Sequence, residues 1–130
     1  MNVVNLDYLK DRDGYWYLAS PYSKYPFGLE AAFIDISRYA GDLIRNDVIV
    51  YSPIAHTHPV AMNSGLDPLD HTIWLPLDEP IMRKACGLII CMMDTWQESY
   101  GISEEIKMFK NLGRPIVYYN PHTGELTKGV

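Results

Sequence analysis

Short apolar runs alternate with stretches of helical periodicity along the 130-residue chain. The run GYWYLA, residues 14–19, follows a DRDG turn signal and reads as a first strand. In residues 28–46, Leu29, Ala32, Phe33, Ile36, Tyr39, Ala40 and Leu43 recur at i, i+3, i+4 and i+7, which predicts a helix with one buried face. Residues 48–51 form a second strand. Residues 52–77 are less regular, rich in proline and histidine, with a short helix expected over 53–62. A connection of that length reads as a lid or binding loop. Residues 79–85 read as a short helix with Pro80 in its first turn. Residues 87–93 are a third strand, 101–112 a helix closed by Gly113, and 115–119 a fourth strand. A turn and one short element complete the tail.

Strands written as continuous apolar runs, alternating with helices, predict a parallel sheet buried on both faces. The expected fold is α/β: a three-layer flavodoxin/Rossmann-like sandwich with a four- or five-stranded, mainly parallel sheet, in one domain over residues 1–130. In such sheets ligands bind beyond the carboxyl ends of the strands. The segment YLASPYS, residues 17–23, leaves the first strand at that edge, so Ser20, Pro21, Tyr22 and Ser23 are candidate ligand contacts.

Composition narrows the partners. The net charge is −5 and the basic residues are scattered, which argues against a nucleic-acid partner. No apolar run approaches a membrane span, and the N-terminus has no signal-peptide pattern, so a cytoplasmic protein is expected. Cys86 and Cys91 flank the third strand and read as core thiols rather than a disulfide or zinc set.

One carboxylate breaks the pattern. In GISEEIKMFKNLG, Ile102, Ile106, Met108, Phe109 and Leu112 define the apolar face, and Glu104, Lys107 and Asn111 lie opposite. Glu105 falls inside the apolar stripe, in the first helical turn. Burial there raises its pKa and the helix N-terminus lowers it; a nucleophilic carboxylate needs the second effect to win. Asp78, before Pro80, reads as a helix N-cap that also sits at the ligand edge, where it could act as a general acid. Tyr17, Tyr22 and Tyr25 flank the first loop. His56, His58 and His71 are a weak metal signal, no metal or other cofactor is expected, and His122 reads as a surface residue. Phosphate-loop, dinucleotide and nucleophile-elbow motifs are absent.

Three segments together resemble the nucleoside 2-deoxyribosyltransferases and the related deoxynucleoside 5′-monophosphate N-glycosidases: YLASPYS (17–23), LDEPIMRKACGLIICMMD (77–94) and YGISEEIKMFKNLGRPIVYY (100–119). The chain looks closest to small bacterial and phage members of that superfamily. The resemblance implies a nucleoside or nucleotide substrate. It makes Glu105 the nucleophile on the anomeric carbon, Asp78 the residue assisting the leaving base, and Tyr17 a contact of the nucleophile. Gly101 matches the glycine ahead of the nucleophile, and Ser99 with Gly101 falls among the substrate contacts. Lys107 stands where the family commonly has glycine, and Ser20, Pro21, Tyr22 and Ser23 replace the glycine-rich loop of the monophosphate hydrolases. The resemblance also implies a homo-oligomer, with residues 118–120 and the tail as candidates for completing a neighbour's site.

Three functions fit the sequence. The first is an enzyme acting on an N-glycosidic bond by hydrolysis or base exchange. The second is a nucleotide-binding module without chemistry, favoured by the altered flanks of Glu105. The third is a hydrolase using the histidines and a metal.

Overall fold

The computed structural model describes residues 2–129. Its strands are β1 (Asn2–Val4), β2 (Trp16–Ala19), β3 (Val50–Tyr51), β4 (Gly87–Cys91), β5 (Ile116–Tyr119) and β6 (Leu126–Lys128), and its helices are α1 (Leu6–Lys10), α2 (Leu29–Arg45), α3 (Pro53–Ser64), α4 (His71–Lys84) and α5 (Tyr100–Asn111). The fold is α/β around one mixed sheet of order β1-β6-β5-β4-β2-β3. The neighbours β3, β2, β4 and β5 run parallel. The last two strands are antiparallel, β6 on β5 and β1 on β6.

The sheet has six strands where four or five were expected, and two of its five pairings are antiparallel. The extra strands are three residues long, too short to show a period, and β6 returns along β5 through a turn that uses Gly124 at φ +79°. Pairing decides these strands, not local sequence pattern.

Alternation along β2 sorts the core onto two faces. Trp16 and Leu18 pack with Leu9 of α1, Ile36 and Leu43 of α2, and Val117. Tyr17 and Ala19 pack with Met82 of α4 and with Ile102 and Phe109 of α5. The sheet is drawn tight where β2, β4 and β5 begin. A Cβ at Gly87 would collide with the Trp16 ring and lie 2.8 Å from the Pro115 carbonyl, so only glycine fits.

The 52–77 connection is mostly helical. Ser52 caps α3 by accepting from the Ala55 amide at 3.2 Å, Pro53 occupies the first turn, and Gly65 closes the helix at φ +78°. Asp70 then caps α4, accepting from the Thr72 amide at 3.0 Å. The helix expected over 79–85 therefore begins at His71 and carries Pro76 and Pro80 in its interior. Asp78 is an interior residue of α4 and not its N-cap. Burial of Trp74 and Met82 on one face outweighs the two backbone donors the prolines remove. Cys91 is buried and Cys86 half-buried, both as free thiols. No described helix is long and apolar enough to cross a membrane.

Candidate active site

The chain leaves β2 toward β3 on one side and reaches β4 on the other, so the topological switch lies at the carboxyl end of β2. Two adjoining cavities open at this edge. The larger, about 320 Å³, has an apolar wall of Trp74, Leu75, Met82, Tyr100 and Met108. The smaller, about 160 Å³, is lined by the hydroxyl-bearing residues Ser20, Tyr22, Ser23, Thr57 and Ser99. Asp78 and Glu105 line both, together with His71, Trp74 and Gly101. The two carboxyls stand at the junction of an apolar lobe and a hydroxyl-rich lobe.

Each carboxyl is delivered by the apolar stripe of its own helix. On α4, Asp78 falls between Trp74 and Met82 at i+4 steps. On α5, Glu105 follows buried Ile102 by three and precedes buried Phe109 by four. Ser99 sets the start of α5 by accepting from the Ile102 amide at 3.2 Å.

Burial decides the electrostatics. Desolvation raises the Asp78 pKa to about 6. Desolvation and then the nearby Asp78 charge raise the Glu105 pKa to about 8, with the Tyr17 hydroxyl pulling weakly the other way. The helix N-terminus does not win at Glu105, contrary to the balance a resting nucleophile requires. Around neutral pH the pair therefore holds one proton.

Tyr17 is fully buried, its ring held against Tyr51 at 6.2 Å and Phe109 at 6.0 Å. Its phenol pKa is pushed far up by burial, then by Glu105 and Asp78. The hydroxyl lies close enough to the Glu105 carboxyl to favour its charged form, though no partner meets it in close hydrogen-bond geometry among the described residues. Four buried side-chain polar atoms among the described residues have no hydrogen-bond partner: Tyr17 Oη, Ser20 Oγ, Asp78 Oδ1 and Thr95 Oγ1. The first three belong to residues lining these cavities. Native interiors leave few such groups unpaired, and their concentration here marks the site.

The loop after β2 is anchored from behind. Tyr22 Oη lies 2.5 Å from His58 Nδ1, and His58 Nε2 lies 2.7 Å from Glu30 Oε2. His58 is buried and stacks on Phe33 at 4.7 Å. Tyr25 is drawn away from the cavity by a 2.6 Å hydrogen bond to Asp35.

Of the residues singled out in the sequence, Glu105, Asp78, Tyr17, Ser20, Tyr22, Ser23, Ser99 and Gly101 line the cavities. Pro21 is buried outside the lining and shapes the loop instead. The histidines do not converge: His56 lies beside Tyr51, His58 is tied to Tyr22 and Glu30, and His71 faces the Tyr100 ring. No group of three potential metal ligands gathers among the described residues. In the 118–120 segment, Tyr119 is a core residue and Asn120 accepts from the amides of His122 and Thr123.

Trp74 and Tyr100 were missed in the sequence, and His71, read there as a weak metal signal, lines both cavities. The signal was present: Trp74, Asp78 and Met82 share one helical face once the helix is started at Asp70.

Residues 14–121 match a family described as a domain of unknown function (DUF1937), a span that holds every residue lining the two cavities. Among curated proteins, none matches the chain.

Proposed function

We propose that this chain, which belongs to the DUF1937 family, cleaves or transfers the N-glycosidic bond of a nucleoside or nucleoside monophosphate. The observation that carries the proposal is the pair of opposed carboxyls, Glu105 and Asp78, sharing one proton between an apolar and a hydroxyl-rich lobe. The flat, weakly polar base fits the lobe walled by Trp74 and Met108. The sugar then lies over Glu105, with its hydroxyls or a 5′-phosphate toward Ser20, Tyr22 and Ser23.

The chemistry follows from one proton on two carboxyls. In the resting site Glu105 holds it. Transfer to Asp78 leaves Glu105 ionised beneath the anomeric carbon, helped by the Tyr17 hydroxyl. The Glu105 oxygen bonds to C1′ as the C1′–N bond breaks, and the departing base takes the bond's electron pair and the Asp78 proton. Asp78, now a carboxylate, removes a proton from water or from a second base, which attacks C1′ and frees Glu105. The resemblance to nucleoside 2-deoxyribosyltransferase-like enzymes supports the same roles. It also supports classing the fold as a flavodoxin/Rossmann-like three-layer sandwich, since the parallel strands follow the order β3-β2-β4-β5 with helices on both faces.

The proposal includes a homo-oligomer. Leu69, Leu75 and Tyr100 rim the cavities yet are about half exposed, and a second copy would cover them. A reaction on dissolved nucleosides belongs in the cytoplasm. Incubation with a panel of deoxynucleosides, ribonucleosides and their 5′-monophosphates, followed by chromatography for free base, tests the activity. Base release that disappears in Glu105→Gln supports it, and no release from any member removes it.

A second reading is a nucleotide-binding module of the same fold. The raised Glu105 pKa favours it, since a protonated carboxyl is a hydrogen-bond donor and no nucleophile. Saturable binding without product, unchanged in affinity from pH 6 to pH 7, would select it.

A further inference from the structure

The protein is acidic, yet among the described residues it gathers at one place positive side chains without a side-chain carboxylate partner. Of its eleven lysines and arginines, five form ion pairs with side-chain carboxylates: Lys10, Arg38, Arg45, Arg83 and Lys107. Four of the other six, Arg12, Lys110, Arg114 and Lys128, line a single cavity of about 320 Å³. No aspartate or glutamate lines it. Like charges so placed repel one another, and no side-chain carboxylate of the described lining offsets that repulsion.

The cavity lies at the amino ends of the parallel strands, beside Pro115 and Ile116. The helix α5 runs from the carboxylate pair to Lys110, and its twelve residues span roughly 18 Å. The two sites are therefore at opposite edges of the sheet.

The cations are held in place. Arg114 is half-buried, and its Nη1 donates to the carbonyls of Ala85, at 2.6 Å, and Arg83. Its Nε and Nη2 make no hydrogen bond among the described residues. Arg12 Nη2 donates to Tyr8 Oη at 2.9 Å, and its guanidinium lies 4.9 Å from the centre of the Tyr8 ring. Lys128 Nζ lies 5.4 Å from the same ring. One aromatic ring thus orders two cations that solvent would otherwise leave free. Tyr8, Arg12 and Lys128 fall outside residues 14–121, so terminal segments beyond the family match build much of this cavity.

We propose that this cavity is a second ligand site, which binds a small anion through a phosphate or diphosphate group. A phosphate concentrates about two negative charges on one compact, multiply accepting group, which suits two arginine forks and two ammonium groups around a small volume. A single carboxylate brings one charge. The proposal stands independently of the carboxylate pair.

The test is titration of the full chain with sodium pyrophosphate, inorganic phosphate, dAMP and citrate, by calorimetry and by backbone amide NMR. Saturable 1:1 pyrophosphate binding is expected, weakening with added salt and shifting the Gly113 and Gly129 amides. Arg12→Glu combined with Lys128→Glu changes exposed side chains and should keep the melting temperature, while weakening binding about tenfold or more. Glu105→Gln should leave it unchanged. Binding of dAMP that is lost only in the charge-reversed variant makes a phosphate ester a ligand. Loss only in Glu105→Gln places dAMP in the other cleft, and pyrophosphate alone then decides. No saturable pyrophosphate binding, equal binding by the charge-reversed variant, or citrate binding as tightly as pyrophosphate would overturn the proposal.

Discussion

Glu105 and Asp78 line the same two cavities, where burial first and the Asp78 charge second raise the Glu105 pKa, so that the two carboxyls hold one proton between about pH 6 and about pH 8. Two carboxyls on one face of their helices would ordinarily be a defect. Here they meet where two cavities join, and the proton they share is the one an acid–nucleophile pair needs.

The glycosidase reading thus predicts a bell-shaped dependence of kcat/KM on pH. Below about 6 both groups are protonated and no nucleophile exists; above about 8 both are ionised and no acid remains. These limits belong to the pair and not to either residue alone. In Asp78→Asn the alkaline limb should vanish, and the acid limb should move up from about 6 but stay below about 8, because Glu105 then ionises alone and without the neighbouring charge. Loss of general acid assistance should lower the rate by about 10²–10⁴. Base release followed from pH 4 to pH 10 checks this, and an unaltered bell in Asp78→Asn would contradict it.

Stability should carry the opposite mark of the same residue. Glu105 is raised from an ordinary 4.5 to about 8 in the folded protein, so the folded state binds this proton more tightly than the unfolded one. Stability from this group falls as pH rises from about 4.5 to about 8 and stays low above it. Glu105→Gln removes the titration. Its melting temperature should match wild type near pH 4 and exceed it at pH 9, by an amount equivalent to about 2–4 kcal/mol. A constant difference across the range would mean that Glu105 titrates normally.

Removing the Tyr17 hydroxyl should separate stability from chemistry. The hydroxyl is buried without a partner, so Tyr17→Phe should leave stability unchanged or raise it by about 1 kcal/mol. The same hydroxyl eases ionisation of Glu105. The alkaline limb of the pH profile should therefore move upward, and the neutral-pH rate should fall about tenfold because less Glu105 is ionised while Asp78 holds the proton. A strongly destabilised variant would show instead that Tyr17 hydrogen-bonds in solution.

Much of this arrangement was legible in the sequence, for identifiable reasons. β2 and β4 are continuous apolar runs because both faces of the sheet are covered, and α2 and α5 keep a clean helical period because only one face is buried. Glu105 stood out as a charge inside such a period. Asp78 did not, because Pro76 and Pro80 hid the helix that gives it a face; with the start at Asp70 it occupies the same anomalous kind of position. The strands β1 and β6 left no local trace, since their stability comes from pairing with distant residues. His58 looked like half of a metal pair because His56 lies two residues away. Only the packing of α3 on α2 sends it to Tyr22 and Glu30.

That buried histidine should be structural support for the ligand loop. With Glu30 accepting from Nε2–H, Nδ1 accepts from the Tyr22 hydroxyl. Tyr22→Phe leaves a buried acceptor unpaired, and should destabilise the protein by about 1–3 kcal/mol. Amide exchange should accelerate at residues 22–25 while remaining slow in β4. A uniform change across the sheet would show that the contact supports the core rather than the loop.

Gly101 distinguishes a glycine kept for space from one kept for packing. It is the second residue of α5 and lines both cavities, and a Cβ there would meet only Ser99 Oγ, at 3.8 Å. Packing therefore does not require glycine, and alanine is the better helix former by up to about 1 kcal/mol. Gly101→Ala should raise the melting temperature slightly. If the sugar sits beside this residue, the added methyl group should also raise KM severalfold, with the pH profile unmoved because neither carboxyl is touched. Gly101→Leu should block the cleft and abolish turnover while the fold persists. A Gly101→Leu variant with full activity would exclude the junction of the two lobes as the place where the substrate binds.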